Sequence, residues 1–207
     1  MGFYDDRVLP HVIDLTCGSS MLDPLRARTC TGLSGEVLEI GFGSGRNVGR
    51  YPDAVSRVVA VEPSDVAWQM AGSRVAGSPV PIERGGLDGQ RLPFGDDTFD
   101  AALSTFTLCT IADLPAALHE LARVLRPGAS FCFLEHGHAP DTAIQRWQRR
   151  LEPIQKRVAG GCHLTRDIPE LLADNGFTVT GIDQFYQRGV PRPYGALSLG
   201  TATPTDI

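Results

Sequence analysis

Lysine is all but missing from the 207 residues: Lys156 is the single one, against eighteen arginines. Chemistry that needs a lysine at a fixed spacing can therefore be checked directly. Cysteine is sparse, at positions 17, 30, 109, 132 and 162. The count is odd and no C-x-x-C occurs, so neither a disulfide framework nor a zinc site is expected from spacing. No apolar run approaches the roughly 18–20 residues of a membrane span. The start, MGFYDDRVLPHVIDL, places two Asp before its apolar stretch, the wrong charge order for a secretory leader. The expected location is cytoplasmic. Excess positive charge is also lacking. A net charge of −5 gives no electrostatic reason to seek nucleic acid or an anionic surface.

What is present is ordinary for a folded protein: 42% apolar and 21% charged residues exclude a largely disordered chain. Without repeats or linkers, the reading is a helical lid segment over 1–33 followed by one domain over 34–207. Residues 3–33 read as helical pieces broken at Pro10 and at Cys17–Ser20. Glu36–Ile40 is a short apolar strand, followed by a glycine-rich turn and a helix from Arg46 to near Pro52. Further strands are expected at Arg57–Val61, Val80–Glu83, Thr98–Ser104 and Ala129–Glu135, with a helix over 64–76. Leu114, Leu118, Leu121 and Leu125 recur on one face of a helix over 113–125. A helix over 141–158 is kinked at Pro153, and Thr165 caps another that stops at Asn175-Gly176. Phe177–Phe185 and about 194–201 follow one another without a helix, so they pair antiparallel. The expectation is an α/β doubly wound seven-stranded sheet, mostly parallel, with an antiparallel last strand. Ligands then sit beyond the carboxyl ends of the strands, at loops 41–47, 62–65, 86–94, 104–111 and 135–140.

The glycines fall at 41, 43 and 45, and Arg46 stands where a dinucleotide fingerprint needs its third glycine. Glu39 ends the strand before them. A carboxylate there opposes a pyrophosphate and suits a ligand carrying an ammonium and a sulfonium. Glu62 ends the second strand and can take both hydroxyls of a ribose. Asp88, before Leu92-Pro93-Phe94, can accept from an adenine amino group.

These residues resemble class I S-adenosylmethionine-dependent methyltransferases. The likeness lies in E-x-G-x-G-x-G at 39–45, the acid at 62, D-x-x-x-LPF at 88–94, Phe99-Asp100 and Leu125-Arg126-Pro127-Gly128. The resemblance implies a Rossmann-like methyltransferase fold with S-adenosylmethionine as cofactor. Gly41, Gly43 and Gly45 would line its methionine part, Glu62 its ribose, and Asp88 with Gly89 its adenine; Thr105 would also touch it. Phe42, Asn47 and Pro63, adjacent to these, are taken with the cofactor set. Beyond that core, Thr107–Thr110, Phe133–His136 and Gly161–Arg166 are similar to the methyltransferase-like proteins that methylate small thiols and to their bacterial relatives. The animal members carry an N-terminal membrane anchor, where this chain has the polar-leading segment 1–33.

Methyl transfer from a sulfonium is an in-line displacement and needs an acceptor lone pair roughly 3–3.5 Å from the methyl carbon. Ionising a thiol of pKa about 8.5 at pH 7 costs only about 2 kcal/mol, against about 4 kcal/mol for a phenol, so a thiol acceptor can dispense with a dedicated base. His136 is the candidate base or acceptor-orienting group. Tyr4, Cys109, His138 and Arg166 are candidates for the acceptor pocket. Phe3 and Tyr4 are read as part of a lid, and segment 160–166 as folding back over the pocket with His163. On helix 141–158, Ile144, Trp147, Leu151, Ile154 and Val158 form an apolar stripe beside a basic face. A packed helix with a solvated face is expected there in preference to one lying on a membrane.

Two other readings stand beside a small-molecule methyltransferase. An NAD(P)-dependent oxidoreductase is disfavoured by Arg46 and by Glu152, which stands where Y-x-x-x-K would place its tyrosine before Lys156. A non-catalytic module that binds S-adenosylmethionine would keep the same cofactor residues.

Overall fold

Short runs of β-branched and aliphatic residues alternate with polar, cappable segments, and the chain folds accordingly into a sheet between helices. The computed structural model describes residues 4–205. Its strands are β1 Gly35–Ile40, β2 Val55–Val61, β3 Ile82–Gly86, β4 Phe99–Thr105, β5 Leu125–His136, β6 Phe177–Tyr186 and β7 Ala196–Pro204. The sheet order is β3-β2-β1-β4-β5-β7-β6. Pairings from β3 through β5 are parallel, and β7 runs antiparallel between β5 and β6. This is the expected doubly wound sheet with its switch point between β1 and β4.

The helices are α1 Leu9–Cys17, α2 Asp23–Cys30, α3 Asp65–Ala76, α4 Leu114–Val124, α5 Thr142–Val158, α6 Ile168–Asp174 and the short α7 Arg192–Gly195. On α4, Asp113 accepts a hydrogen bond from the Ala116 amide, and Leu114, Leu118 and Leu121 bury the predicted stripe. They pack with Phe99, Phe131, Phe133 and Phe177 into the main core on one side of the sheet. On the other side Cys30 and Leu33 cover Val37, Val58, Leu103 and Cys132.

Several boundaries differ from the expectation. No helix follows the glycine turn among the described residues. Residues 43–49 form successive turns, because Gly45 and Gly49 both take positive φ. The helical pieces do change at this point: a π-helical stretch over Tyr4–Val8 gives way to α1, with Pro10 in its first turn, where the missing N–H costs no hydrogen bond. Leu125 opens β5 and is not part of α4. Asp167, not Thr165, caps α6, as Thr165 is held by Glu152 through both its amide and its hydroxyl. A helix, α7, stands between the last two strands. The apolar stripe of α5 is not packed away: Trp147, Ile154 and Val158 are exposed, and Gln148 is the buried residue of that helix. No helix is long and apolar enough to cross a membrane among the described residues.

Phe131 is fully buried against Phe133 and Phe177. Phe131→Ala should lower unfolding free energy by about 3–5 kcal/mol in urea titration, with a loss under about 1 kcal/mol contradicting its place in the core.

Candidate active site

The turn after β1 is shaped by three left-handed glycines, and two of them show different needs. At Gly41 (φ +72°) a Cβ would collide with the Thr107 side chain, so glycine is required for the turn to pass the loop after β4. At Gly43 (φ +57°) a Cβ would meet only the Gly41 carbonyl, at 3.9 Å, so one side of this backbone is open. Its amide donates to Glu62 Oε2 at 2.7 Å, and the Ser64 amide donates to Oε1 at 2.8 Å. Glu62 is thus fixed at the end of β2, buried, and its carboxyl is pushed up by desolvation. A carboxylate offers about four acceptor positions, so two remain for a vicinal diol lying over the open glycine backbone.

Glu39 takes a different position from the one its sequence neighbours suggest. It is 1% exposed. Asn47 Nδ2 donates to its Oε1 at 2.9 Å and Tyr51 Oη to its Oε2 at 2.6 Å. What Glu39 gives an incoming ligand is therefore chiefly field. That field is itself compensated. Arg26 of α2, also buried, donates to Asn47 Oδ1 at 2.9 Å, Thr105 Oγ1 at 2.8 Å and the Cys17 carbonyl at 2.9 Å. The charge argument from Glu39 alone is corrected by this guanidinium, which sequence reading missed: it comes from a short polar helix with no pattern pointing inward. A second clamp joins α1 to the turn, with Asp14 taking Arg46 Nε at 2.7 Å and Nη2 at 2.6 Å, together with the Ser44 hydroxyl.

The other expected cofactor residues divide between rim and support. Asn47 and Thr105 are buried in the Arg26 network. The Phe42 ring is spent on the core, 5.3 Å from Trp68 beside Ala60 and Ala71, leaving its backbone to line the turn. Pro63 is exposed beside Glu62. Asp88 is exposed and turns one oxygen to Gln90, and Gly89 packs near Ile40 and Ile111. Leu87, Asp88, Leu92, Pro93 and Phe94 line a concavity on this rim.

On the far side, the chain gathers residues distant in sequence. Segment 160–166 does fold back: the His163 amide donates to the Cys109 carbonyl at 2.8 Å. Arg166 donates to the carbonyls of Leu108 and, at 2.7 Å, Ile111, so it braces the loop after β4. His138 faces Asp167 at 3.5 Å. The Tyr4 hydroxyl donates to the Val158 carbonyl at 2.8 Å, tying the start of the described chain to the end of α5; Phe3 lies outside the described residues. His136 is buried at the end of β5 and is joined by Cys109 and Cys162. The two sulfurs are 3.4 Å apart, far beyond the ~2.05 Å of a disulfide, so both are thiols. Cys162, not singled out as a site residue from sequence, is held below the usual thiol range by its hydrogen-bonded contacts with Cys109 and His136. Next to His136, Glu135 is fully buried and accepts from Ser104 and the Thr107 amide; burial pushes its carboxyl up to about 7.

Burial likewise pushes Glu39 up to about 7. An unfolded Glu titrates near ~4.3, so between these values the folded chain holds a proton the unfolded chain has lost. The associated stability is complete at low pH and is lost as pH rises through the folded pKa. In Glu39→Gln this contribution disappears. The stability of wild type minus that of the variant should fall by up to ~1.4 kcal/mol per unit from pH 5 to 7 and level off above. Urea unfolding at pH 5, 6, 7 and 8 measures it, and a constant difference would contradict a buried, titrating Glu39.

Comparison with known proteins agrees with this geometry. Residues 38–133 match the family model described as a methyltransferase domain. Thiol S-methyltransferase TMT1B of Rattus norvegicus is 35% identical over 144 residues, 66% of this chain and 58% of that protein. The 2-phytyl-1,4-naphtoquinone methyltransferase of Synechococcus elongatus is 36% identical over 135 residues, 65% of this chain and 49% of that protein. The chain thus spans between about half and three-fifths of the length of these curated relatives. Among solved structures, geranyl diphosphate methyltransferase in complex with S-adenosylmethionine superposes with a TM-score of 0.70 at 15% identity, covering 94% of this chain and 88% of that one. The residues present here would fit the S-adenosylmethionine held by that neighbour: Glu62 for the ribose diol and the open Gly43 backbone for close approach. Residues 38–133 thus match a methyltransferase domain, and the chain as a whole has the fold of methyltransferases of known structure.

Proposed function

We propose that the protein transfers a methyl group from S-adenosylmethionine to a small-molecule acceptor, a thiol in first place. The observation that carries the transfer is Glu62, locked by the Gly43 and Ser64 amides at the carboxyl end of β2 with acceptor positions left for a ribose. When bound, the cofactor supplies an electrophilic methyl on a sulfonium. The chain's own part is to orient. Glu62 holds the sugar, and the Gly41–Gly45 backbone admits the amino-acid portion. The Arg26–Asn47–Thr105 network keeps the floor of the crevice rigid.

A thiol acceptor is supported by the similarity to a thiol S-methyltransferase and by the small ionisation cost of a thiol at neutral pH. A quinol is the second reading, supported by the likeness to the naphtoquinone enzyme. His136 remains the candidate for orienting the acceptor, from the end of β5. Helices α1 and α2 are fixed to the edge and floor of the crevice through Asp14 and Arg26.

Isothermal titration with S-adenosylhomocysteine should give micromolar binding, on the order of −8 kcal/mol, and Glu62→Ala should lose most of it. Undiminished affinity in that variant would remove the ribose assignment. Radiolabelled methyl transfer across alkyl thiols, quinols, phenols and amines then identifies the acceptor, with thiols expected to lead. Binding of S-adenosylhomocysteine with transfer to none of these classes would favour a non-catalytic module.

A further inference from the structure

Two thiols and an imidazole meet beside the crevice, although 53 residues separate Cys109 from Cys162 and 26 separate His136 from Cys162. All three are buried, and their ligand atoms lie within 4.8 Å of one another. Cys162 Sγ is 3.4 Å from Cys109 Sγ and 3.6 Å from His136 Nδ1. Metal–ligand lengths of ~2.3 Å to sulfur and ~2.0 Å to nitrogen give tetrahedral edges of about 3.8 Å (S–S) and about 3.5 Å (S–N). The two separations from Cys162 fall within a few tenths of an ångström of those edges, and the Cys109–His136 separation, within 4.8 Å, would have to close onto the ion as it binds.

The frame around them is rigid. His136 ends β5, which is hydrogen-bonded to β4 on one side and β7 on the other. Cys109 and Cys162 sit on two loops stitched together by the His163 amide on the Cys109 carbonyl and by Arg166 on the carbonyls of Leu108 and Ile111. Loops fixed in this way hold ligand positions without the metal having to order them.

We propose that Cys109, His136 and Cys162 form a binding site for a soft divalent cation, zinc in first place, whose fourth position takes the sulfur of the acceptor thiol. Three protein ligands with one open position are the arrangement of catalytic zinc, whereas structural zinc closes all four. Thiolate and imidazole donors select zinc over magnesium or calcium, which prefer oxygen. The ligand set stands on the geometry of the cluster; the use of the fourth position rests on the methyltransferase reading above. In the step implied, an entering thiol loses its proton to solvent as its sulfur binds the cation. A lone pair on that sulfur forms the new C–S bond to the methyl carbon. The sulfonium's C–S bond to the methyl breaks, and its electron pair stays on the departing sulfur, leaving S-adenosylhomocysteine. The neutral thioether is the weaker ligand and is released.

The test uses the full chain, reduced with a phosphine and freed of metal. Titration with Co²⁺ should give one equivalent bound, with sulfur-to-metal charge-transfer bands and the intense visible bands of a tetrahedral ion, and Zn²⁺ should bleach both. Ethanethiol should shift the charge-transfer bands as a further thiolate enters. Cys109→Ser and Cys162→Ser should weaken Zn²⁺ binding by more than the ~10–100-fold typical of losing an outer-shell partner. Cys132→Ala, whose sulfur lies in the core near Gly32, should bind one equivalent unchanged. Retained S-adenosylhomocysteine binding shows that each variant is folded. The proposal is overturned if wild type takes up no stoichiometric ion, if uptake survives both cysteine substitutions, or if the bands ignore ethanethiol. Full-rate thiol methylation by the metal-free chain would also overturn it, while leaving the methyltransferase reading intact.

Discussion

A carboxyl group buried at the end of the first strand organises this molecule. Glu39 has almost no contact with solvent, and an isolated carboxylate in such a place is strongly disfavoured. The chain answers with Asn47, Tyr51 and, one bond further out, Arg26. Those partners come from three segments, so satisfying one carboxylate fixes the glycine turn, the loop beyond it and the N-terminal helices relative to β1. Thr105 joins the end of β4 to the same network. The crevice between β1 and β4 therefore has a polar floor whose parts hold one another, and Glu62 is left above it for a ligand.

This arrangement changes what the flanking carboxylate means. Arg26, linked to Glu39 through Asn47, offsets its charge, so the crevice is not simply an electronegative slot. On the proposed function, selectivity for a nucleoside with a positive centre would then come from shape and from directed polar groups, chiefly Glu62 and the glycine backbone. The absence of a glycine at position 46 also acquires a structural reason. Arg46 reaches away to Asp14 and fastens α1 over the turn.

Features set by local pattern were legible in the sequence. The leucine spacing of α4, the glycine turn, Glu62 at the end of β2 and the antiparallel return of the last strand all follow from period, turn chemistry or connectivity. Features set by tertiary contact were not. Arg26 lies in a short helix with no inward-facing pattern, and its role appears only when Asn47 and Thr105 are brought to it. Cys162 looked like one of five scattered cysteines until segment 160–166 met the loop after β4. The helix expected after Arg46 is absent for a local reason: Gly45 and Gly49 take left-handed backbone conformations, which a right-handed helix does not contain. On α5 the apolar stripe was visible, but periodicity alone does not say whether a neighbour covers it. Here Trp147, Ile154 and Val158 are left facing outward.

The position of β7 has a consequence for biosynthesis. This strand is near the end of the chain, yet it lies inside the sheet, between β5 and β6. As the polypeptide leaves the ribosome, β5 therefore waits with one edge bare, and β6 has no neighbour at all, until residues 196–204 emerge. Bare strand edges are templates for pairing with other chains. Translation between β5 and β7 is thus an aggregation-exposed interval, and completion of this sheet waits for residues 196–204.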